Sequence, residues 1–178
     1  MALTSLFRRN PHRTKAFAAY TSIVERAREP EFFLRFDVPD TLDGRFEMIA
    51  LHMFLVLNRL KAEYDATSEF SQALFDAMFA DLDRGLREMG ATDIGVGKRV
   101  KEMAKAFYGR IKAYDDGLAG DDQVLGDALR RNLYGTVQAR PEAVAAMVRY
   151  LRHQVDALTK QPIENFFSNE IKFSPINL

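Results

Sequence analysis

The chain has 178 residues, 47% of them hydrophobic and 28% charged, and its 25 basic and 25 acidic side chains cancel. That describes one globular domain, large enough to hide roughly 70% of its surface, and the balance gives no bulk charge with which to hold DNA or an acidic partner. No cysteine occurs, which excludes disulfides, thiolate zinc sites and cysteine nucleophiles, and apolar runs such as Met53 to Leu57 are far too short to cross a bilayer.

The N-terminus, MALTSLFRRNPHRTKAF, places its arginines after a very short apolar patch, the reverse of a signal peptide, so the chain is read as not exported. Residues 1–10 are expected to form a flexible basic segment. Arg8, Arg9 and Arg13 make a positive patch suited to an anionic surface, beside Leu3, Leu6 and Phe7 as a weak interfacial anchor. A first helix follows Pro11 and runs to about Arg28 with Phe17, Tyr20, Ile23 and Val24 inward. PEFFLRF is a short turn or helix.

The stretch FDVPDTLDGRFEMIALHMFLVLNRL then raises a choice. Asp37, Asp40 and Asp43 sit three apart, Pro39 interrupts them, and the twelfth position from Asp37 is Met48, so an EF-hand calcium loop fails. Asp40 or Thr41 instead caps a helix whose dipole Asp43 complements. That helix is apolar nearly all round, as expected of one in the middle of a bundle. His52 and Arg59 share one edge of it. They read as satisfied core-edge residues, and otherwise as a pair able to hold an acidic group.

Thr67 or Ser68 is expected to cap a third long helix ending at Gly90. On it Phe70, Leu74, Phe75, Met78 and Phe79 occupy a broad apolar face, which suits a core and, alternatively, an apolar client. A fourth helix, from about Ile94 to Ala119, aligns Lys98, Lys101, Lys105 and Lys112 within about 60° of its circumference. Such a stripe is a solvated face or a site for anionic lipid, rRNA or an acidic partner. DDGLAGDDQ, residues 115–123, is the best loop. A fifth helix from Val124 to Tyr134 and a sixth from Pro141 to Leu158 complete a bundle of about six to eight helices. The fold class is all-α, with one helical domain over residues 11–168 and a tail over 169–178.

No catalytic, metal or cofactor site is legible. His12, His52 and His153 stand in no Glu-x-x-His or His-Glu-x-x-His spacing, GVGKR lacks the first glycine and the Ser or Thr of a phosphate loop, and there is no G-x-S-x-G elbow. The chain is therefore read as a non-enzyme without cofactor.

The segment from Phe36 to Leu60, followed by LFDAMFADLDRGLREMG and DIGVGKRVKEMAKAFYGR, closely resembles the ubiquinol-cytochrome c chaperone family of alphaproteobacteria and mitochondria. The residues that carry the resemblance include Asp37, Asp43, Gly44, Arg45 and His52, which offer structural positions and no active site. The resemblance implies an assembly factor for complex III that binds newly made cytochrome b at the membrane surface. It also implies a ribosome or a small partner protein as companions, and a cytoplasmic location with peripheral attachment to the inner membrane. The alternative is a helical domain that takes a lipid or quinone-like ligand between its helices. An enclosed pocket favours that ligand, and an open groove favours a client.

Overall fold

The computed structural model describes residues 12–176 except Met89 and Ala91, with Asp93 and Ile94 described by backbone alone. Among these residues every regular element is helical: α1 (Arg13–Ala27), α2 (Pro30–Arg35), α3 (Leu42–Lys61), α4 (Tyr64–Glu88), α5 (Asp93–Ala119), α6 (Asp122–Arg131), α7 (Pro141–Thr159) and the single turn α8 (Glu164–Phe167).

The middle of the bundle is α3, which touches α1, α4, α5 and α7. Every side chain from Glu47 to Val56 is buried, which is what a helix apolar all round requires. Its start is fixed locally: Thr41 adopts an extended backbone and its hydroxyl accepts the Gly44 amide at 3.1 Å, with Asp43 in the first turn. Around α3, α1 and α4 run side by side in the same direction, because His12 meets Phe70 at 5.9 Å between ring centroids and Tyr20 meets Asp81 at 3.0 Å. The buried face of α1 is Ala16, Ala19, Tyr20, Ile23, Val24 and Ala27, whose small alanines admit the neighbouring helices closely. Phe17, expected inward, is 51% exposed. Ala16, Ala19 and Ala27 fill the buried stripe in its place.

Two boundaries differ from the sequence reading. α4 begins at Tyr64, three residues before the expected cap, and Thr67 lies inside it, fully buried, with its hydroxyl donating to the Leu60 carbonyl at 2.7 Å. The stretch DDGLAGDDQ is not a loop: α5 continues to Ala119 and α6 starts at Asp122, leaving only Gly120 and Asp121 between them. The tightness needs glycine at Gly117, where a Cβ would sit 2.8 Å from Leu125 Cδ1 and 3.0 Å from its Cα. Asp121 then caps α6 by accepting the Gln123 and Val124 amides, while Asp115, Asp116 and Asp122 lie within the helices and pair with Lys61, Lys112 and Arg152.

Gly90 has φ +85°, the left-handed conformation of a helix stop. Gly85, Gly97 and Gly109 have no neighbour within 4 Å of where a Cβ would stand. Beyond α8 the chain is irregular but tied down. Gln154 on α7 accepts the Ser174 amide and donates to its carbonyl, and Gln161, two turns later, does the same for Lys172. These two amides replace a partner strand, and Ile171, Phe173 and Ile176 pack against the core.

Candidate functional site

A groove of about 1030 Å³, open to solvent, is bounded by the second half of α1, the start of α3, the end of α4, the first half of α5 and the turn after α6. Its apolar walls are Val24, Leu42, Phe46, Ile49, Leu82, Leu86, Met103 and Leu133. At its edges stand Phe17 and Leu42, the latter 65% exposed. Arg28, Arg45, Arg84 and Arg99 alternate with Glu25, Asp43, Glu88 and Glu102 around it.

The groove's floor is polar and organised. Glu47, an acid on the otherwise apolar α3, is held by Arg110 of α5, whose Nε donates to Oε2 at 2.6 Å and whose Nη2 donates to Oε1. The guanidinium also lies 5.5 Å from the centroid of Phe46. The bidentate carboxylate holds Arg110 firmly in its charged form. Below it the Tyr114 hydroxyl is buried with no partner among the described residues, and burial, then the Glu47 charge, drives its ionisation far above the ordinary range. On the opposite wall Tyr20 donates to Asp81, which also receives Arg84.

The motif residues divide between the groove's rim and its support. Asp43, Gly44 and Arg45 line the rim. Gly44 is there because the Pro39 carbonyl oxygen occupies the place of a Cβ, 2.0 Å away. Arg45 pairs with Asp40 at 2.7 Å. Asp37 is at φ +56°, and its carboxylate takes the amide, Nε and Nη2 of Arg140, tying the α2–α3 connection to the start of α7. Arg140 holds the Asp37 carboxyl below its usual range.

His52 lies away from the groove in a closed aromatic nest. Its Nδ1 donates to the Met48 carbonyl at 2.8 Å, and its Nε2 accepts the Tyr150 hydroxyl at 2.7 Å, since a carbonyl can only accept. Phe32 and Phe173 stand edge-on to the ring. Burial pushes its pKa down to about 4, so it is neutral. Burial also raises Tyr150 to about 12, although Arg26 lies 3.2 Å from its hydroxyl and opposes that shift. Arg59 donates to the Leu158 and Gln161 carbonyls and to Glu63, so no His52–Arg59 anion site forms.

Of the expected client face, Phe70, Leu74 and Met78 are core and closed to any partner in this conformation. Phe75 and Phe79 are partly buried and stack at 4.5 Å. Lys98, Lys101, Lys105 and Lys112 are exposed on α5, but none lines the groove. Arg13 is exposed at the start of α1, and Arg8 and Arg9 lie outside the described residues. Sequence reasoning missed the Glu47–Arg110 floor. The signal was present, a carboxylate in the run from Phe46 to Leu57 whose other members except His52 are apolar, but its partner lies 63 positions away. No group of three or more His, Asp or Glu residues that could hold a metal occurs among the described residues, and none of the described helices is long and apolar enough to cross a membrane.

The profile of the family described as ubiquinol-cytochrome C chaperone matches residues 34–173, most of the chain. The chain belongs to this family. The crystal structure of the Cbp3 homolog from Brucella abortus superposes with a TM-score of 0.82 at 37% identity, covering 93% of this chain and 91% of that one. Ubiquinol-cytochrome-c reductase complex assembly factor 1 of Xenopus laevis is 31% identical over 162 residues, 90% of this chain and 81% of its own length. Its human counterpart is 30% identical over the same extent of this chain, which spans 54% of the human protein. The matched span contains the groove's α3, α4 and α5 walls and its Glu47–Arg110 floor, while the α1 wall precedes it.

Proposed function

We propose that this chaperone-family chain assists assembly of ubiquinol-cytochrome c reductase by holding an apolar helical segment of cytochrome b in the groove, acting by binding and not by catalysis. The observation that carries the reading is the groove itself, with apolar walls, exposed Phe17 and Leu42 at its edges and charges of both signs around it. A helix with its side chains is about 10 Å across, so the volume takes about two turns fully embedded or about five turns half embedded. Burying four client side chains is worth about 6–12 kcal/mol, against an association cost of about 4–15 kcal/mol. The balance gives the reversible grip an assembly factor needs. An open trough of this width suits a helix better than the lipid or quinone-like ligand of the alternative reading, which calls for enclosure.

The test is a photo-crosslinking residue placed at Leu82 or Met103 on the groove wall, with Tyr64 as an exposed control outside it. Cytochrome b should be captured from Leu82 and Met103 during its synthesis, and Leu82→Arg should lower assembled ubiquinol-cytochrome c reductase while other respiratory complexes persist. Capture equally strong from Tyr64, or normal complex levels after deletion of the gene, would overturn the reading.

A further inference from the structure

On α5 the groove and the lysines occupy different faces. Arg99, Met103, Ala106 and Arg110 turn toward the groove, whereas Lys98, Lys101, Lys105 and Lys112 centre on a line about 140° around the helix. Tyr108 stands about 20° beyond one edge of that lysine arc and is 59% exposed, its ring supported by Phe75 at 5.5 Å. Lys112 is paired with Asp116 at 2.7 Å, while Lys98, Lys101 and Lys105 make no ion pair with another described residue. The acids on the neighbouring outer edge of α4 are engaged elsewhere, Asp76 with Gln72 and Asp83 with Arg87. Gly97 and Gly109 add no side chain to this surface.

We propose that this outward face of α5 docks the protein on an anionic lipid surface, with the lysines at headgroup level and Tyr108 as the interfacial anchor. Three features of the face select this partner. The lysines extend over about 21 Å of helix, a length that meets many headgroups at once. Cations beside a tyrosine whose apolar ring ends in a polar hydroxyl match the chemistry of the membrane–water boundary. The face is the outside of a helical hairpin with none of its lysines in the groove, so it offers a partner no pocket for shape recognition and suits a fluid plane. Because groove and stripe point apart, the chain can lie on lipid with its groove still open to a client. The lipid contact rests on its own residues and stands or falls separately from the client reading.

The chain contains no tryptophan, so Tyr108→Trp supplies a single fluorophore at the edge of the stripe and Tyr64→Trp a control on another exposed surface. With vesicles of phosphatidylcholine containing one-third phosphatidylglycerol, the Tyr108→Trp emission should shift to the blue, the shift should vanish with pure phosphatidylcholine or in molar salt, and Tyr64→Trp should not respond. In flotation of the otherwise native chain, changing Lys98, Lys101 and Lys105 to Gln should weaken vesicle binding about a hundredfold while leaving helicity unchanged. Equal flotation of parent and triple variant, an equal shift from Tyr64→Trp, or salt-sensitive binding to ribosomes with none to vesicles would overturn the proposal. If vesicle binding fails while Leu82 still captures cytochrome b, only the lipid face is lost. If capture fails while vesicles bind, only the client reading is.

Discussion

Arg110 of α5 sets the Nε–Nη2 edge of its guanidinium against both carboxylate oxygens of Glu47 in α3, 63 residues away, at the bottom of the groove. The pair is largely removed from water, with side-chain exposures of 16% and 10%. Breaking it from one side strands a charge, and either Arg110→Met or Glu47→Leu should cost about 3–5 kcal/mol in urea unfolding. Making both changes together should restore the parent value to within about 1 kcal/mol, since a buried pair and an apolar replacement are nearly equivalent in stability. Additive losses in the double variant would show that the two residues are not one unit.

Tyr114 gives a prediction of opposite sign. Its hydroxyl is buried without a partner among the described residues, so Tyr114→Phe should stabilise the fold by about 1 kcal/mol. A loss of stability in thermal unfolding would mean that the hydroxyl is bridged to the Glu47–Arg110 pair.

His52 makes stability depend on pH. Its folded pKa of about 4 lies below the ordinary 6.5, so between these values the unfolded chain binds more protons, and its contribution is complete above pH 6.5 and is lost as pH falls toward 4. From pH 7 to pH 5 that amounts to about 2 kcal/mol. Urea titrations at both pH values should show a loss smaller by about that amount in His52→Gln, which has no titrating ring.

Gly44 and Gly85 both belong to the groove yet should respond in opposite directions to alanine. At Gly44 the new methyl would meet backbone, the Pro39 carbonyl, and Gly44→Ala should cost about 2–4 kcal/mol, lowering Tm by about 5–15 °C. At Gly85 the space is open, and Gly85→Ala should add about 0.5–1 kcal/mol. Similar Tm values for the two variants would refute the geometry at Gly44.

The helices were legible where periodicity and caps agree. Thr41, Gly90 and Pro141 stand at the ends their chemistry demands, and the all-round apolar pattern of α3 is the centre of the bundle. Misreadings came where one residue type serves two purposes. Aspartates and glycines in residues 115–123 signalled a loop, yet Gly117 is a close helix crossing and Asp121 a cap. The groove was not legible, since it forms where α1, α3, α4 and α5 diverge and its floor joins Glu47 to a distant arginine. Phe70, Leu74 and Met78 had the composition of a client face, but a helix pattern cannot say which half of a wide apolar face its neighbours cover.

Gly85, Gly97 and Gly109 lie within helices with no packing reason to be glycine, and each weakens its helix by about 0.8–1 kcal/mol relative to alanine. Two of them flank Gly90 at the turn that joins α4 to α5, the two helices forming one side of the groove. The described glycines of α4 and α5 are thus expected to let those helices open locally more readily than α3 behind them. Amide hydrogens near residues 85 and 97 should exchange through local openings far cheaper than global unfolding, whereas those of Met48 to Val56 wait for the whole domain to unfold. A trough with one yielding wall and one rigid wall can close on helices of different girth without giving up its shape.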